Sequence, residues 1–388
     1  MNRIYLDYAA TTPVRPSVAA AMQPHLSAHP SNPSSLHAEG RAARAALDDA
    51  RSAVAQALGV RSREIVFTSS GTEASNLAIL GAARARRAQG MHLITAATEH
   101  HAVLRAFERL RSEGYSVTVL PVDGEGRLDP ATFARAITLQ TTFASIMLGN
   151  NEVGTLHPIA ELAAIAREHE VVFHTDAVAA IGQVPVDVRA LGADLLSLSA
   201  HKFYGPKGAG ALYVREGTSL LPLLVGGAQE LGLRAGTENV AGIVGMAEAL
   251  TVASAELPEA ALRLAALRDR LEAGIKERFP AVRINGAGAR RLPGTTNVSF
   301  PHAQSASLLA RLDLDGVAAS AGSACAAGAL ERSHVIAALG VPRWAQEGVV
   351  RFSLGTTTAQ DEIDEVLRRL PGIVESASGA AIPAGVSF

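Results

Sequence analysis

The chain reads as an α/β protein: a large domain on a mostly parallel sheet with helices on both faces, joined to a smaller α+β domain. Three observations predict this. From about residue 60 to 215, short apolar runs alternate with helix-period segments, and each run stops at glycine or polar residues. That pattern suits parallel strands that present ligands at their carboxyl ends. After Val214 the composition turns loop-rich over 215 to 238, ending in Gly226-Gly227 and Arg234-Ala235-Gly236-Thr237-Glu238. Beyond it Leu267, Leu271, Ile275 and Phe279 recur every four residues until Pro280, the pattern of a long helix leading to a second domain. The expected division is 15–255 for the large domain, with 1–14 and 256–388 forming the small one.

Taken in order, residues 1–14 are a turn-rich entry, followed by helical pattern to about residue 60. Ser34 or Ser35 is placed to cap a helix whose inner face holds Leu47, Ala50, Val54 and Leu58, and Gly59 suits its end. Asn32, in Ser31-Asn32-Pro33, reads first as a turn former. Glu64 to Thr68 reads as a strand breaking into Ser69-Ser70-Gly71-Thr72-Glu73, then a helix. Free amides at such a helix start bind phosphate, with Thr72 adding a hydroxyl; ordinary capping by Ser70 or Thr72 accounts for the residues equally well. The run Met91 to Thr95 leads to Thr98-Glu99-His100-His101, where an imidazole can stack on a flat ligand, shuttle a proton or cap the next helix.

Two further runs end in polar residues: Ala144 to Leu148 at Asn150-Asn151-Glu152, and Val171 to Thr175 at Asp176, with a helical segment from Ile159 to His169 between them. Lys202 lies in Ser199-Ala200-His201-Lys202-Phe203-Tyr204-Gly205, between the apolar runs Asp194–Ser199 and Ala209–Val214. It reads either as a solvated lysine or as one that condenses with a carbonyl and anchors pyridoxal phosphate (PLP). In the second case Asp176 is available to keep the cofactor's ring nitrogen protonated. Short strands at Asn297–Phe300 and Val349–Ser353 and a last helix from about Ala359 to Leu370 complete the pattern.

At 388 residues, with 48% hydrophobic and 19% charged residues, the composition fits a globular protein with a sizeable core. Lys plus Arg (35) nearly balance Asp plus Glu (37), and no basic block points to nucleic acid. The N-terminus shows no signal-peptide pattern and no apolar run approaches the ~18 residues of a membrane span, so we expect a cytoplasmic protein without membrane contact. One cysteine, Cys325, excludes an internal disulfide and a multi-cysteine metal site. Its neighbours, Ser320-Ala321-Gly322-Ser323-Ala324 and Ala326-Ala327-Gly328, suit a thiol that travels to a substrate; an inert buried thiol is the other reading.

These motifs together resemble the cysteine desulfurases, PLP enzymes of fold-type I related to class V aminotransferases. The likeness runs from Tyr5-Leu6-Asp7-Tyr8-Ala9-Ala10-Thr11-Thr12-Pro13 through Asn150-Asn151-Glu152-Val153-Gly154 to Arg351-Phe352-Ser353-Leu354-Gly355. The segment around Cys325, about 318–332, resembles the long cysteine loop of the branch serving iron-sulfur cluster assembly or tRNA thiolation. The resemblance implies that Lys202 carries the cofactor as a Schiff base and moves protons. It implies that Gly71, Thr72, Ser199 and His201 hold the phosphate, and that Thr237 reaches the phosphate of a second subunit in a homodimer. His100 would stack on the ring and Asp176 would meet its nitrogen. Arg351, Asn151 and Asn32 would bind the carboxylate of L-cysteine, and Cys325, with His100 as its base, would take the sulfur as a persulfide for an acceptor protein. No metal is implied. A selenocysteine lyase, or a weakly active paralogue acting as a scaffold, is the alternative. Two positions depart from the family pattern: Ala200 replaces a glycine, and Ala179 replaces a glutamine that donates to the cofactor's 3′-oxygen. Gln183 or water is left to compensate.

Overall fold

The computed structural model describes residues 3–28, 31–322 and 332–378. After β1 (Ile4–Tyr5) come β2 (Ile65–Thr68), β3 (His92–Ala96), β4 (Ser116–Leu120), β5 (Thr141–Ser145), β6 (Val172–Asp176), β7 (Leu195–Ser199) and β8 (Gly210–Val214). These last seven form one sheet in the order β2-β8-β7-β6-β5-β3-β4. Every pairing from β7 across to β4 is parallel, and only β8 runs against its neighbours β2 and β7. Strands β5 to β8 are buried at every position, because helices cover both faces and no polar face is needed. The edge strand β4 is exposed at Ser116 and Val119, half-buried at Val117 and Thr118 and buried at Leu120, and it gave no clear apolar run in the sequence.

A second group comprises β9 (Arg283–Asn285), β10 (Thr295–Ser299) and β12 (Val349–Ser353), antiparallel in the order β12-β10-β9, with β11 (Val317–Ala318) paired in parallel to β1. Its core unites Ile4 and Leu6 with Leu271, Ile275, Phe300 and Phe352, separate from the core beneath the large sheet. The 39-residue helix Val240–Arg278 serves both cores, with Ile243, Met246 and Leu250 in the first and Leu264, Leu267 and Leu271 in the second. By length and composition it could cross a membrane, but 56% of its most apolar window is buried within the protein.

Three local expectations change. The helix Ala38–Leu58 is capped by His37, which accepts from Gly40 N, and not by Ser34 or Ser35. Gly40 lies so close to the Ser35 carbonyl that a Cβ there would sit 2.2 Å from its oxygen, so the chain enters the helix one turn later. The extended run Ala144–Leu148 is shared between β5 and a tail whose Ile146 and Leu148 amides still bond to His174 and Asp176 carbonyls. The last helix, Gln360–Ser378, continues through Pro371 because Ile373, Val374 and Ala377 extend its buried face beyond Leu370. Burial of that stripe outweighs the missing amide hydrogen bond.

Candidate active site

The carboxyl ends of the central strands converge on Lys202. Strand β6 ends on Asp176, and β7 ends on Ser199 and turns at once into a short 3-10 helix, Ala200–Lys202. This turn is tight enough that a Cβ on Gly205 would lie 2.8 Å from the Ala200 methyl, so Gly205 makes room for the alanine at position 200. Lys202 Nζ donates to the carbonyls of Ala9 and Ala10, at 2.9 Å for the latter. Thr12 clamps the same turn, donating through N and Oγ1 to the His201 carbonyl, both at 3.0 Å, and accepting from Tyr204 N at 2.7 Å. The N-terminal segment therefore forms one wall of the lysine's surroundings.

Asp176 is 5% exposed, and burial pushes its carboxyl up to about 6 against the pull of the Val178 amide, Lys202 and Ser75. A buried carboxylate held so weakly by protein donors is suited to a cationic partner. His100 caps the helix His101–Ser112 by accepting from Ala102 N at 3.1 Å through Nδ1. Burial, then Lys202, His101 and His334, lower its imidazole to about 4. The ring is thus neutral, and with Nδ1 accepting it presents an Nε2–H donor. That geometry differs from the expected role of His100 as the base for Cys325, since its basic nitrogen is turned to the backbone. His201 is likewise neutral, lowered to about 4 by burial and by Lys202 and Lys207, with Nδ1 3.2 Å from Thr11 Oγ1.

Gly71 and Thr72 begin the helix Gly71–Ala85, capped by Ser70 through Glu73 N. A Cβ on Gly71 would meet Val178 Cγ2 at 2.5 Å and Ser199 Cβ at 3.3 Å, so the glycine lets the helix start pack directly against the β7 end and the turn after Asp176. This is a phosphate cradle by form, with helix amides and two hydroxyl residues, Thr72 and Ser199. Thr237 lies apart on the exposed loop after Gly236, whose φ is +108°.

Arg351, on β12, is 1% exposed. Nη1 donates to the Asn151 carbonyl and Nη2 to Asp7 Oδ1, each at 2.8 Å, while Nε is buried without a partner. Asp7 Oδ2 also accepts from Ser320 Oγ at 2.8 Å. One further carboxylate would complete this guanidinium through its unsatisfied donor. Asn151 is held in place by Asn150, whose Oδ1 accepts from Glu152 N and Val153 N and whose Nδ2 donates to the Thr98 carbonyl. Asn32 does not join this group: it is exposed and its Oδ1 accepts from Ser34 N, the turn-forming role. A cavity of about 20 Å³ is lined by Tyr8, Asn151, Ala179, Gln183, Lys202, Thr295, Ser353 and Leu354 among others. Cys325 lies in 323–331, outside the described residues. Glu152 stands between the two flanks of that segment, accepting from Ser333 Oγ at 2.5 Å while a Cβ on Gly322 would lie 2.9 Å from its Oε2.

The aminotransferase class-V family model matches residues 4–366. The chain is 49% identical to cysteine desulfurase IscS of Dictyoglomus turgidum over 96% of this chain and 95% of that protein. It is 48% identical to cysteine desulfurase IscS of Methanosarcina thermophila, over 96% and 92%. The chain belongs to the class-V aminotransferase family, as a cysteine desulfurase. Among solved structures a NifS-like protein superposes with TM-score 0.90 at 36% identity, covering 96% of this chain and 99% of that one. SspA in complex with cysteine gives 0.81 at 37%, covering 92% and 100%.

The residues present fit PLP, the cofactor such enzymes use. The helix start at Gly71 and Thr72 packs against Ser199 at the end of β7, and Asp176 is a buried carboxylate with few protein donors, in reach of Lys202's charge. For a cysteine desulfurase, sequence reasoning overlooked Asp7, Asn150 and Glu152. All three stood inside quoted motifs, but only the fold brings Asp7 to Arg351, 344 residues away.

Proposed function

We propose that this cysteine desulfurase uses PLP on Lys202 to convert L-cysteine to L-alanine, with Cys325 receiving the sulfur as a persulfide. The observation that carries the reading is the convergence of Lys202, Asp176, His100 and the Gly71 helix start at the carboxyl ends of β7, β6, β3 and β2, with Arg351 at their margin. When bound, the cofactor supplies an electron sink for the pair left at the substrate's α-carbon. Asp176 would hold the ring nitrogen, the Gly71–Thr72 helix start with Ser199 and His201 would hold the phosphate, and His100 would lie over the ring with its Nε2–H directed into the site.

Arg351 would take the cysteine carboxylate, in a fork that a lysine cannot reproduce. Asn151 would assist it, and the Lys202 amine would carry the α-proton. Cys325 attacks as thiolate, so the carbon–sulfur bond of cysteine breaks as the sulfur–sulfur bond forms. The balance is L-cysteine plus the Cys325 thiol giving L-alanine plus the Cys325 persulfide, with no outside oxidant. A free thiol with a pKa of ~8.5 needs help to ionise, and His100 with its backbone-bound Nδ1 is poorly placed to give it. We also propose a cytoplasmic homodimer in which Thr237 approaches the partner's phosphate site, and an acceptor protein serving iron-sulfur assembly or thio-modification. The relatives named above, both cysteine desulfurases, support the desulfurase chemistry. Purified protein incubated with PLP and L-cysteine is expected to release alanine and, with a reductant, equimolar sulfide; absence of both overturns the reading.

A further inference from the structure

Ala179 and Gln183 follow Asp176 on one helical turn, in which Ile181 N bonds to the Ala177 carbonyl and Gln183 N to the Ala180 carbonyl, each at 2.9 Å. Both side chains line the cavity that also holds Lys202 and Asn151. Ala179 ends there in a methyl, whereas Gln183 reaches in with an amide. Its Oε1 is buried without a hydrogen-bond partner and lies 3.5 Å from where a Cβ on Gly294 would sit. Gly182, at φ +76°, packs so closely on Phe203 that a Cβ would meet the Phe203 Cβ at 2.9 Å, which keeps the turn against the residue after Lys202. A buried polar atom is rarely left unpaired, so this orphaned Oε1 points to a polar ligand at the amide's end.

The ligand's edge follows from the chemistry of the flanking groups. A pyridoxal ring with its nitrogen at Asp176 and its aldehyde carbon at Lys202 carries its hydroxyl beside that carbon, on the side away from the phosphate arm. The cavity meets Lys202 and none of Gly71, Thr72, Ser199 and His201, so it would face that side of a bound ring. Resting on the cofactor assignment above, we propose that Gln183 supplies the amide that donates to the cofactor's ring oxygen, in place of any side chain at position 179. Crystallographic Asn and Gln amides can be turned end for end to suit their partners, so either end of this amide can face the site. A donor there competes with the ring oxygen's internal hydrogen bond to the lysine-linked imine proton, and so makes that proton easier to lose.

The test is a pH titration of the visible absorption band of PLP-loaded wild type, Gln183→Met, and the double variant Ala179→Gln/Gln183→Met. Methionine keeps the length and burial of glutamine without its donor. Gln183→Met is expected to retain its cofactor and to raise the titration midpoint by about half to one pH unit, a roughly three- to tenfold tighter hold on the proton. The double variant is expected to bring the midpoint back toward the wild type, which a merely structural role of Gln183 would not do. If Gln183→Met sheds its cofactor, recovery of binding in the double variant supports the assignment and no recovery overturns it. A fully loaded Gln183→Met with an unmoved midpoint, or a shifted one that the double variant leaves unchanged, overturns the role of Gln183 alone. A wild type with no cofactor on Lys202 overturns the underlying reading and this assignment with it.

Discussion

Asp176→Asn in the cofactor-free protein isolates what the buried carboxylate does before it has a partner. Its pKa rises from the usual 3.8 to about 6, with burial as the largest cause. The folded state therefore holds this proton more tightly than the unfolded chain does. Stability falls as the pH climbs from about 4 to about 6, and the full penalty remains above that range. Two units of displacement correspond to ~3 kcal/mol. Asparagine keeps the acceptor for the Val178 amide, which Asp176 Oδ1 now meets at 2.9 Å, and removes the charge. Urea unfolding should thus find cofactor-free Asp176→Asn about as stable as the wild type near pH 4 and ~3 kcal/mol more stable near pH 8. Reconstitution should reverse the ranking, because the variant has no charge to offer the ring nitrogen and binds PLP more weakly. A difference between the two proteins that does not change with pH would refute the reasoning, as would a variant less stable near pH 8.

Replacing Gly71 by alanine pushes a methyl into Val178, with 2.5 Å available, and should cost about 1–3 kcal/mol while weakening cofactor retention; equilibrium dialysis against PLP checks the second effect. Arg351→Lys should raise the KM for cysteine at least tenfold with PLP still bound, since one ammonium cannot serve Asp7, the Asn151 carbonyl and a substrate carboxylate together. An unchanged KM would remove Arg351 from the substrate site. With His100 lowered to about 4, its ionisation should be missing from the pH–rate profile above pH 5; an inflection near 6.5 that disappears in His100→Gln would contradict its neutral state.

Much of the large sheet was legible because the buried run of most strands, β4 excepted, is continuous and stops at glycine or polar residues. Asp176, Ser199 and Lys202 could be placed at strand ends on that ground alone. Strand order was not legible: β3 lies between β5 and β4, and β8 turns against its neighbours, through contacts between segments far apart in sequence. The same remoteness hid Asp7 beneath Arg351 and the carbonyls of Ala9 and Ala10 beside Lys202. Asn32 reads on residue type as a turn former, which its bond from Ser34 N bears out; its place among the carboxylate ligands came only from the resemblance. Ala179 was legible as a departure from the family, but only the folded turn showed Gln183 and Ala179 sharing a cavity.

The central claim is that sulfur leaves cysteine for Cys325 at a site built around Lys202. It is tested most directly by a single turnover without reductant: PLP-loaded protein receives one equivalent of L-cysteine, alanine is quantified, and alkylated peptides are mapped by mass. The account predicts alanine equimolar with a persulfide on the peptide bearing Cys325, and with Cys325→Ala a retained cofactor but little alanine. Alanine formed at the wild-type rate by Cys325→Ala, or formed by the wild type with no extra sulfur on that peptide, would contradict it.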